Sequence, residues 1–215
     1  MVAQYFSHVD TWVFDLDNTL YPPSADLFGL MDARFAAYVG RITGLDHAKA
    51  LALAAEYWRA YGSTLAGLIA HHDVDPHDFL ADVHDIDISH LRPDADLKTA
   101  LAALSGRKVV YTNGSSQHAK RVLAARDITR EFDAVYGVEH ADFTPKPMQG
   151  AFDKIFQKDG LVPTQAAMFE DEARNLAVPH ALGMRTIHVH GQATGDRHVH
   201  HHTNDLAEFL SQLAR

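Results

Sequence analysis

Asp15-Leu16-Asp17-Asn18-Thr19 brings two carboxylates two residues apart, and Thr112-Asn113-Gly114-Ser115 brings a hydroxyl beside a small turn. Thr144-Pro145-Lys146-Pro147 holds an ammonium between two prolines, and Glu170-Asp171-Glu172 adds three further carboxylates. If the chain stays extended through Asp15 and Asp17, their side chains share a face with Cα atoms roughly 6–7 Å apart. A phosphoryl group and a metal ion fit that gap. Two carboxylates facing a phosphate repel it by roughly 4 kcal/mol per close pair near a surface, so such a site calls for Mg²⁺, Lys146 or both. Asp171 offers a hard oxygen ligand of the kind magnesium takes together with substrate oxygens and water. Thr112 and the Gly114-Ser115 turn precede a predicted helix, whose first backbone N–H groups suit phosphate oxygens. One carboxylate as nucleophile and a second as proton donor and acceptor would divide a very slow ester hydrolysis into two easier steps.

The elements that must position these groups follow from hydrophobic patterning. Val9–Leu16 is a short apolar run rich in Val, Trp and Phe, too short for an ordinary helix, and is predicted as a buried strand. Further strands are predicted at Val109–Thr112, Ala134–Val138, Ala166–Glu170 and Thr186–Val189. Helices are predicted near Ala95–Leu104, Gln117–Ala125, Met148–Phe156, Ala173–Leu182 and Leu206–Leu213. Strand–helix alternation of this kind indicates parallel strands with crossovers, an α/β fold with an open, Rossmann-like parallel sheet. Tyr21-Pro22-Pro23-Ser24 interrupts the pattern, and from Asp26 to about Asp85 the apolar spacing is helical. The expected organisation is a core of residues 1–20 and 92–215 with an inserted helical cap at residues 21–91. The four polar clusters fall at strand ends or in the loops beside them, where an open parallel sheet binds ligands.

Composition narrows the partners. The chain has 215 residues, no cysteine and a formal net charge of −9. Cysteine-based metal sites, disulfides and a thiol nucleophile are therefore excluded, and a cytoplasmic location is expected. The acidic balance argues against nucleic acid polymers, whose binding is driven by Lys and Arg. No basic-then-apolar leader and no membrane-length apolar run is present, so neither secretion nor a membrane partner is expected. A small phosphorylated metabolite remains compatible, because a bound cation reverses the local potential.

The order FDLDNTL, TNGS, PKP and FEDEARN resembles the haloacid dehalogenase superfamily of aspartate-nucleophile phosphohydrolases. That resemblance implies that Asp15 is the nucleophile forming an aspartyl-phosphate and that Asp17 protonates the leaving oxygen and later activates water. It further implies that Thr112 holds the phosphoryl group, that Lys146 neutralises its charge, and that Asp171 binds Mg²⁺ with Asp15 and the Asp17 backbone carbonyl. Asn175 matches the second polar position of the last motif as a supporting residue, although many relatives have Asp there. Asp15–Pro22, Tyr61–Leu68, and Phe169–Asp171 with Ala173–Leu176 resemble the pyrimidine 5′-nucleotidase branch, with Glu172 as a departure, which implies nucleoside 5′-monophosphates such as UMP or CMP as substrates. Asn113 and Gly114 are candidate substrate contacts. Tyr21 and Tyr61 are candidates to stack on a base, with packing as the alternative, and Thr64 belongs to the cap motif.

Other readings stay open at this level: another small phosphate ester such as a sugar phosphate or phosphoglycolate, or a phosphate-binding protein without turnover. A dehalogenase is disfavoured, since halide displacement needs one carboxylate and no magnesium. Neither Glu170 nor Glu172 is assigned as a ligand, and Asn18 is read as organising its loop. The crowd of His198, His200, His201 and His202 is read as a solvated loop before the last helix.

Overall fold

The computed structural model describes residues 2–214. Six parallel strands form one sheet in the order β3-β2-β1-β4-β5-β6. They are β1 (Thr11–Phe14), β2 (Arg107–Tyr111), β3 (Ala134–Tyr136), β4 (Ala166–Glu170), β5 (Arg185–Val189) and β6 (His201–Thr203). β1 and β4 are buried along their whole length, which is why they read as continuous apolar runs rather than alternating ones. Alternate residues feed two cores. Phe14, Val110 and Phe169 enter one face, and Val13, Val109 and Met168 the other. The rings of Phe14 and Phe169 stack with centroids 4.7 Å apart, locking the central strand pair.

Nine α-helices among the described residues complete the architecture: α1 (Leu27–Thr43), α2 (His47–Tyr61), α3 (Thr64–His71), α4 (Pro76–Val83), α5 (Ala95–Ala103), α6 (Ser116–Ala125), α7 (Gln149–Asp159), α8 (Ala177–Ala181) and α9 (Leu206–Ser211). Local chemistry sets their starts. Asp46, Ser63, Asp75, Asp94, Ser115 and Asp205 each accept a backbone N–H of the first turn. α1–α4 lie between β1 and β2 in the chain and have their own core of Tyr38, Tyr57, Leu68, Phe79 and Val83, joined by Val138 from beyond β3. A Cβ at Gly67 would sit 2.2 Å from Tyr57 Cγ, so this position must be glycine for α3 to close on α2.

Three expectations need correction. β1 ends at Phe14, so Asp15 and Asp17 do not continue a strand and the shared-face argument does not hold. The chain instead turns through Asp17–Leu20, with Asn18 in the left-handed region at φ 55°. The Ala173–Leu182 helix is split into a tight 3₁₀ turn at Ala173–Leu176 and the short α8. The histidine-rich stretch is not simply a solvated loop. His201–Thr203 adds a sixth parallel strand to β5, and His201 packs 5.1 Å from the Phe6 ring. A three-residue edge strand of His-His-Thr carries no apolar signal, so patterning could not show it.

Candidate active site

The chain runs outward from β1 to β2 and β3, then returns to build β4, β5 and β6 on the other side. The crevice between the carboxyl ends of β1 and β4 is therefore the place where an open sheet binds ligands. Asp15 follows β1 and keeps the pairing, its N–H donating to Phe169 O at 2.9 Å. Thr112 follows β2, Glu170 ends β4, and Asp171 follows it.

Lys146 is the hub. Its Nζ donates to Asp15 Oδ1 and Glu170 Oε2, each at 2.6 Å, and to Tyr111 O at 3.0 Å, so all three of its protons are engaged. The side chain is 1% exposed. Its backbone is clamped by Asn113, which accepts from Lys146 N at 2.8 Å and donates to Lys146 O at 3.0 Å. Asn113 thus ties two of the sequence clusters together as well as lining the cavity. Gly62, at φ +88°, packs against the same loop, where a Cβ would lie 3.1 Å from Lys146 O.

Asp15, Glu170 and Asp171 each place a carboxylate oxygen within 4.8 Å of the others. Three carboxylates facing one ammonium leave two negative charges uncompensated. Burial and the Glu170 charge raise the Asp15 carboxyl well above its usual range, against the lowering effect of Lys146. Burial, then Glu170 and Asp15, push Asp171 up to about 10. Burial alone would lower Lys146, but the two carboxylates hold it above its ordinary value, so it stays an ammonium. An all-oxygen donor set with two surplus negative charges fits a hard divalent cation. Glu170, left unassigned from sequence, is central: besides Lys146 it accepts from Asn175 Nδ2 at 3.2 Å and Glu172 N at 3.3 Å. Asn175 supports the cluster in this way, while its own buried Oδ1 has no partner among the described residues. Asn18 donates to Asp171 Oδ2 at 3.3 Å.

The Asp17 carboxylate stands apart from that cluster. Its Oδ1 accepts from Tyr21 Oη at 2.6 Å and lies 3.6 Å from His118 Nε2, and its Oδ2 faces Thr112 Oγ1 at 3.3 Å. Burial would raise this carboxyl, but His118 and Tyr21 outweigh burial and hold it below the usual range. Gly114 N–H is turned inward to Thr112 Oγ1 at 2.9 Å. A Cβ at Gly114 would lie 3.3 Å from both Thr112 Oγ1 and His84 Nε2, so the turn is tight as well as small.

Above these groups lies a cavity of about 540 Å³, walled on the helical side by apolar residues including Phe28, Phe35, Leu51, Trp58 and Phe79. Asp15, Asp17, Thr112, Asn113, Gly114, Lys146 and Asp171 all line it, as does Thr64, whose hydroxyl donates to Ala54 O at 3.1 Å. Tyr21 and Tyr61 are not among its lining residues. Tyr21 is 1% exposed within the apolar core, because its hydroxyl finds Asp17 while its ring joins Leu16 and Leu20. Tyr61 pairs with His71 Nε2 and packs edge-on against Tyr57. Sequence reasoning also passed over Trp58 and Arg174. The Arg174 guanidinium lies 3.7 Å from the Trp58 ring centroid and joins α2 to the turn after β4, a pairing of residues 116 apart that no local pattern announces.

Fold and site together define an α/β protein with an open parallel sheet, beside whose strand ends stand an aspartate, a lysine and an acidic cluster. Residues 9–183 match the haloacid dehalogenase-like hydrolase family, and the chain belongs to it. Phosphate metabolism protein 8 of Saccharomyces cerevisiae is 29% identical over 193 residues, covering 82% of this chain and 59% of that protein. The chain thus spans little more than half the length of this relative. Among solved structures, the HAD phosphatase from Thermococcus onnurineus superimposes with a TM-score of 0.65 at 16% identity, covering 95% of this chain and 98% of that one. CbbY from Rhodobacter sphaeroides in complex with phosphate gives a TM-score of 0.65 at 17% identity, covering 94% and 96%. At these identities the likeness speaks for the fold. No helix among the described residues is long and apolar enough to cross a membrane.

Proposed function

We propose that the protein is a Mg²⁺-dependent phosphomonoesterase acting through an aspartyl-phosphate on pyrimidine nucleoside 5′-monophosphates. The observation that carries the reading is Lys146, held by Asp15 and Glu170 at the floor of a cavity large enough for a nucleotide. Asp15, Glu170 and Asp171 would hold magnesium, which when bound supplies positive charge beside the phosphoryl oxygens. Asp15 forms the new bond to phosphorus as the bond to the leaving oxygen breaks, and Asp17 gives that oxygen its proton. Water then attacks the aspartyl-phosphate while Asp17 takes a proton from it, and the Asp15–phosphorus bond breaks. Lys146 neutralises charge on the phosphoryl group and Thr112 holds it, with the Gly114 N–H fixing the Thr112 hydroxyl in place.

The helical insertion, residues 21–91, is the cap that encloses the organic part of the substrate. Its wall of Phe28, Phe35, Leu51 and Trp58 suits the flat face of a base, which stacks on aromatic and aliphatic side chains, whereas phosphoglycolate and a sugar phosphate have no such face to offer. The name of the yeast relative, which ties that protein to phosphate metabolism, agrees with a phosphate-ester substrate. The test is phosphate release from UMP, CMP, AMP, phosphoglycolate and sugar phosphates, with Mg²⁺ and with chelator. Release should be fastest with UMP or CMP, vanish in chelator, and vanish in Asp15→Asn with the fold intact. Release confined to non-nucleotide esters would discard the substrate, and an active Asp15→Asn would discard the nucleophile.

A further inference from the structure

Asp17 is gripped unequally at its two oxygens. At Oδ1 the Tyr21 hydroxyl donates a 2.6 Å hydrogen bond from inside the core, and the His118 ring stands behind it with Nε2 at 3.6 Å. The His118 side chain is fully buried, stacks on His84 with centroids 4.4 Å apart, and neither of its nitrogens has a hydrogen-bond partner among the described residues. At Oδ2 the only contact of this kind among the described residues is the 3.3 Å one to Thr112, near the outer limit for a hydroxyl donor. Thr112 lines the cavity, whereas Tyr21 and His118 are not lining residues.

An oxygen that accepts a short hydrogen bond from a buried donor is poorly placed to carry a proton itself, since the two hydrogens would compete for the same space. We propose that Tyr21 is a positioning residue for proton transfer. By occupying Oδ1 it assigns the exchangeable proton to Oδ2 and fixes the carboxyl plane toward the leaving oxygen. The inference rests on the reading of Asp17 as acid and base given above. In the first step Asp17, ionised in the free protein, takes at Oδ2 the proton that a phosphate monoanion carries in; the bond from phosphorus to the leaving oxygen then breaks, the Asp15–phosphorus bond forms, and that proton passes from Oδ2 to the leaving oxygen. In the second step a water oxygen bonds to phosphorus, its proton returns to Oδ2, and the Asp15–phosphorus bond breaks. Tyr21 keeps its own proton throughout, consistent with burial and the Asp17 charge raising its phenol above the usual range.

A positioning role differs from a structural one in its dependence on the leaving group. Departure of p-nitrophenolate needs no proton, whereas departure of an alkoxide does. Tyr21→Phe removes the hydroxyl and keeps the ring in the core. With Mg²⁺ present, the first-turnover rate read by rapid quench should fall about tenfold or more for an alkyl phosphate, a fraction of what general acids contribute, and change less than about twofold for p-nitrophenyl phosphate. KM should stay near wild type, and the melting temperature should fall only by the several degrees that one buried charge-assisted hydrogen bond accounts for. Equal loss with both esters, or no loss with either, overturns the proposal. Asp17→Asn separates this from the underlying reading. It should show the same selectivity with a larger loss, and wild-type transfer from the alkyl ester in that variant would refute Asp17 as the acid while leaving the Tyr21 contact a packing feature. Should Tyr21→Phe fail to fold, fluorotyrosine at position 21 keeps the ring and alters the hydroxyl acidity, and the alkyl-to-aryl rate ratio must then shift or the proposal fails.

Discussion

Removing the Lys146 ammonium is the most demanding test of the site's electrostatics. Lys146→Met would leave Asp15, 5% exposed, and Glu170, 1% exposed, facing each other without a cation. Breaking a buried ion pair by deleting one partner costs about 3–5 kcal/mol. For a domain of this size each kcal/mol lowers the melting temperature by about 2–4 °C, so a fall of roughly 6–20 °C is expected. The diagnostic feature is a change of sign. In the wild-type background, Glu170→Gln weakens a charge-assisted contact to Lys146 and should destabilise by about 1.5–3 kcal/mol. Once Lys146 is gone, ionised Asp15 and Glu170 carboxylates within 4.8 Å of one another would repel by up to about 3 kcal/mol at an effective dielectric near 20, less what Asp15, already raised by burial and by Glu170, relieves by taking up a proton. In the Lys146→Met background the same Glu170→Gln change should therefore stabilise, by about 1–3 kcal/mol. Urea unfolding of the four proteins of the cycle at pH 8 in chelator measures both numbers. Additive effects within about 0.5 kcal/mol would refute the argument that Lys146 holds these two charges together.

Two further perturbations probe the neighbouring structure. Burial, reinforced by His118, lowers the His84 imidazole to about 3. Its folded value lies below the unfolded one, so its contribution is complete above the ordinary imidazole range near 6.5 and is lost as pH falls toward 3. Between pH 6 and 4 the wild type should lose up to about 1.4 kcal/mol per pH unit through this group, and His84→Gln should show a shallower loss in urea unfolding. Gly62→Ala forces a side chain into the left-handed region with its Cβ 3.1 Å from Lys146 O, and should cost about 1–2 kcal/mol while lowering kcat through the displaced loop. Denaturation and turnover measured on the same sample check it, and an unchanged kcat would argue that the loop does not rest on this turn.

Much of the core was legible because parallel strands buried on both faces must be apolar along their length. β1, β2, β4 and β5 announced themselves for that reason, as did the helical block after Pro23, whose core-facing residues recur at helical spacing. Asp15, Thr112, Lys146 and Asp171 were legible as loop residues at or near strand ends. Glu170 was not, since a carboxylate beside another looks alike whether it faces solvent or an ammonium 24 residues away. Whether Tyr21 stacks on a base or packs in the core is not legible in the sequence, which reports an aromatic ring but not the direction in which the chain turns it; the structure packs it. β6 escaped because three polar residues can pair with a sheet edge through backbone groups alone.

The order of the four clusters along the chain, the parallel sheet and the helical insertion are properties of the sequence itself. They follow from hydrophobic period, capping residues and breakers that act over a few residues. The tertiary structure decided which carboxylate answers to which partner: Asp15 and Glu170 to Lys146, Asp171 to Asn18, and Asp17 to Tyr21 and Thr112. The physical reason is that a charge taken out of water must find its partner within a few ångströms, and apart from Tyr21, four residues from Asp17, these partners are brought together by the packing of distant strands and loops.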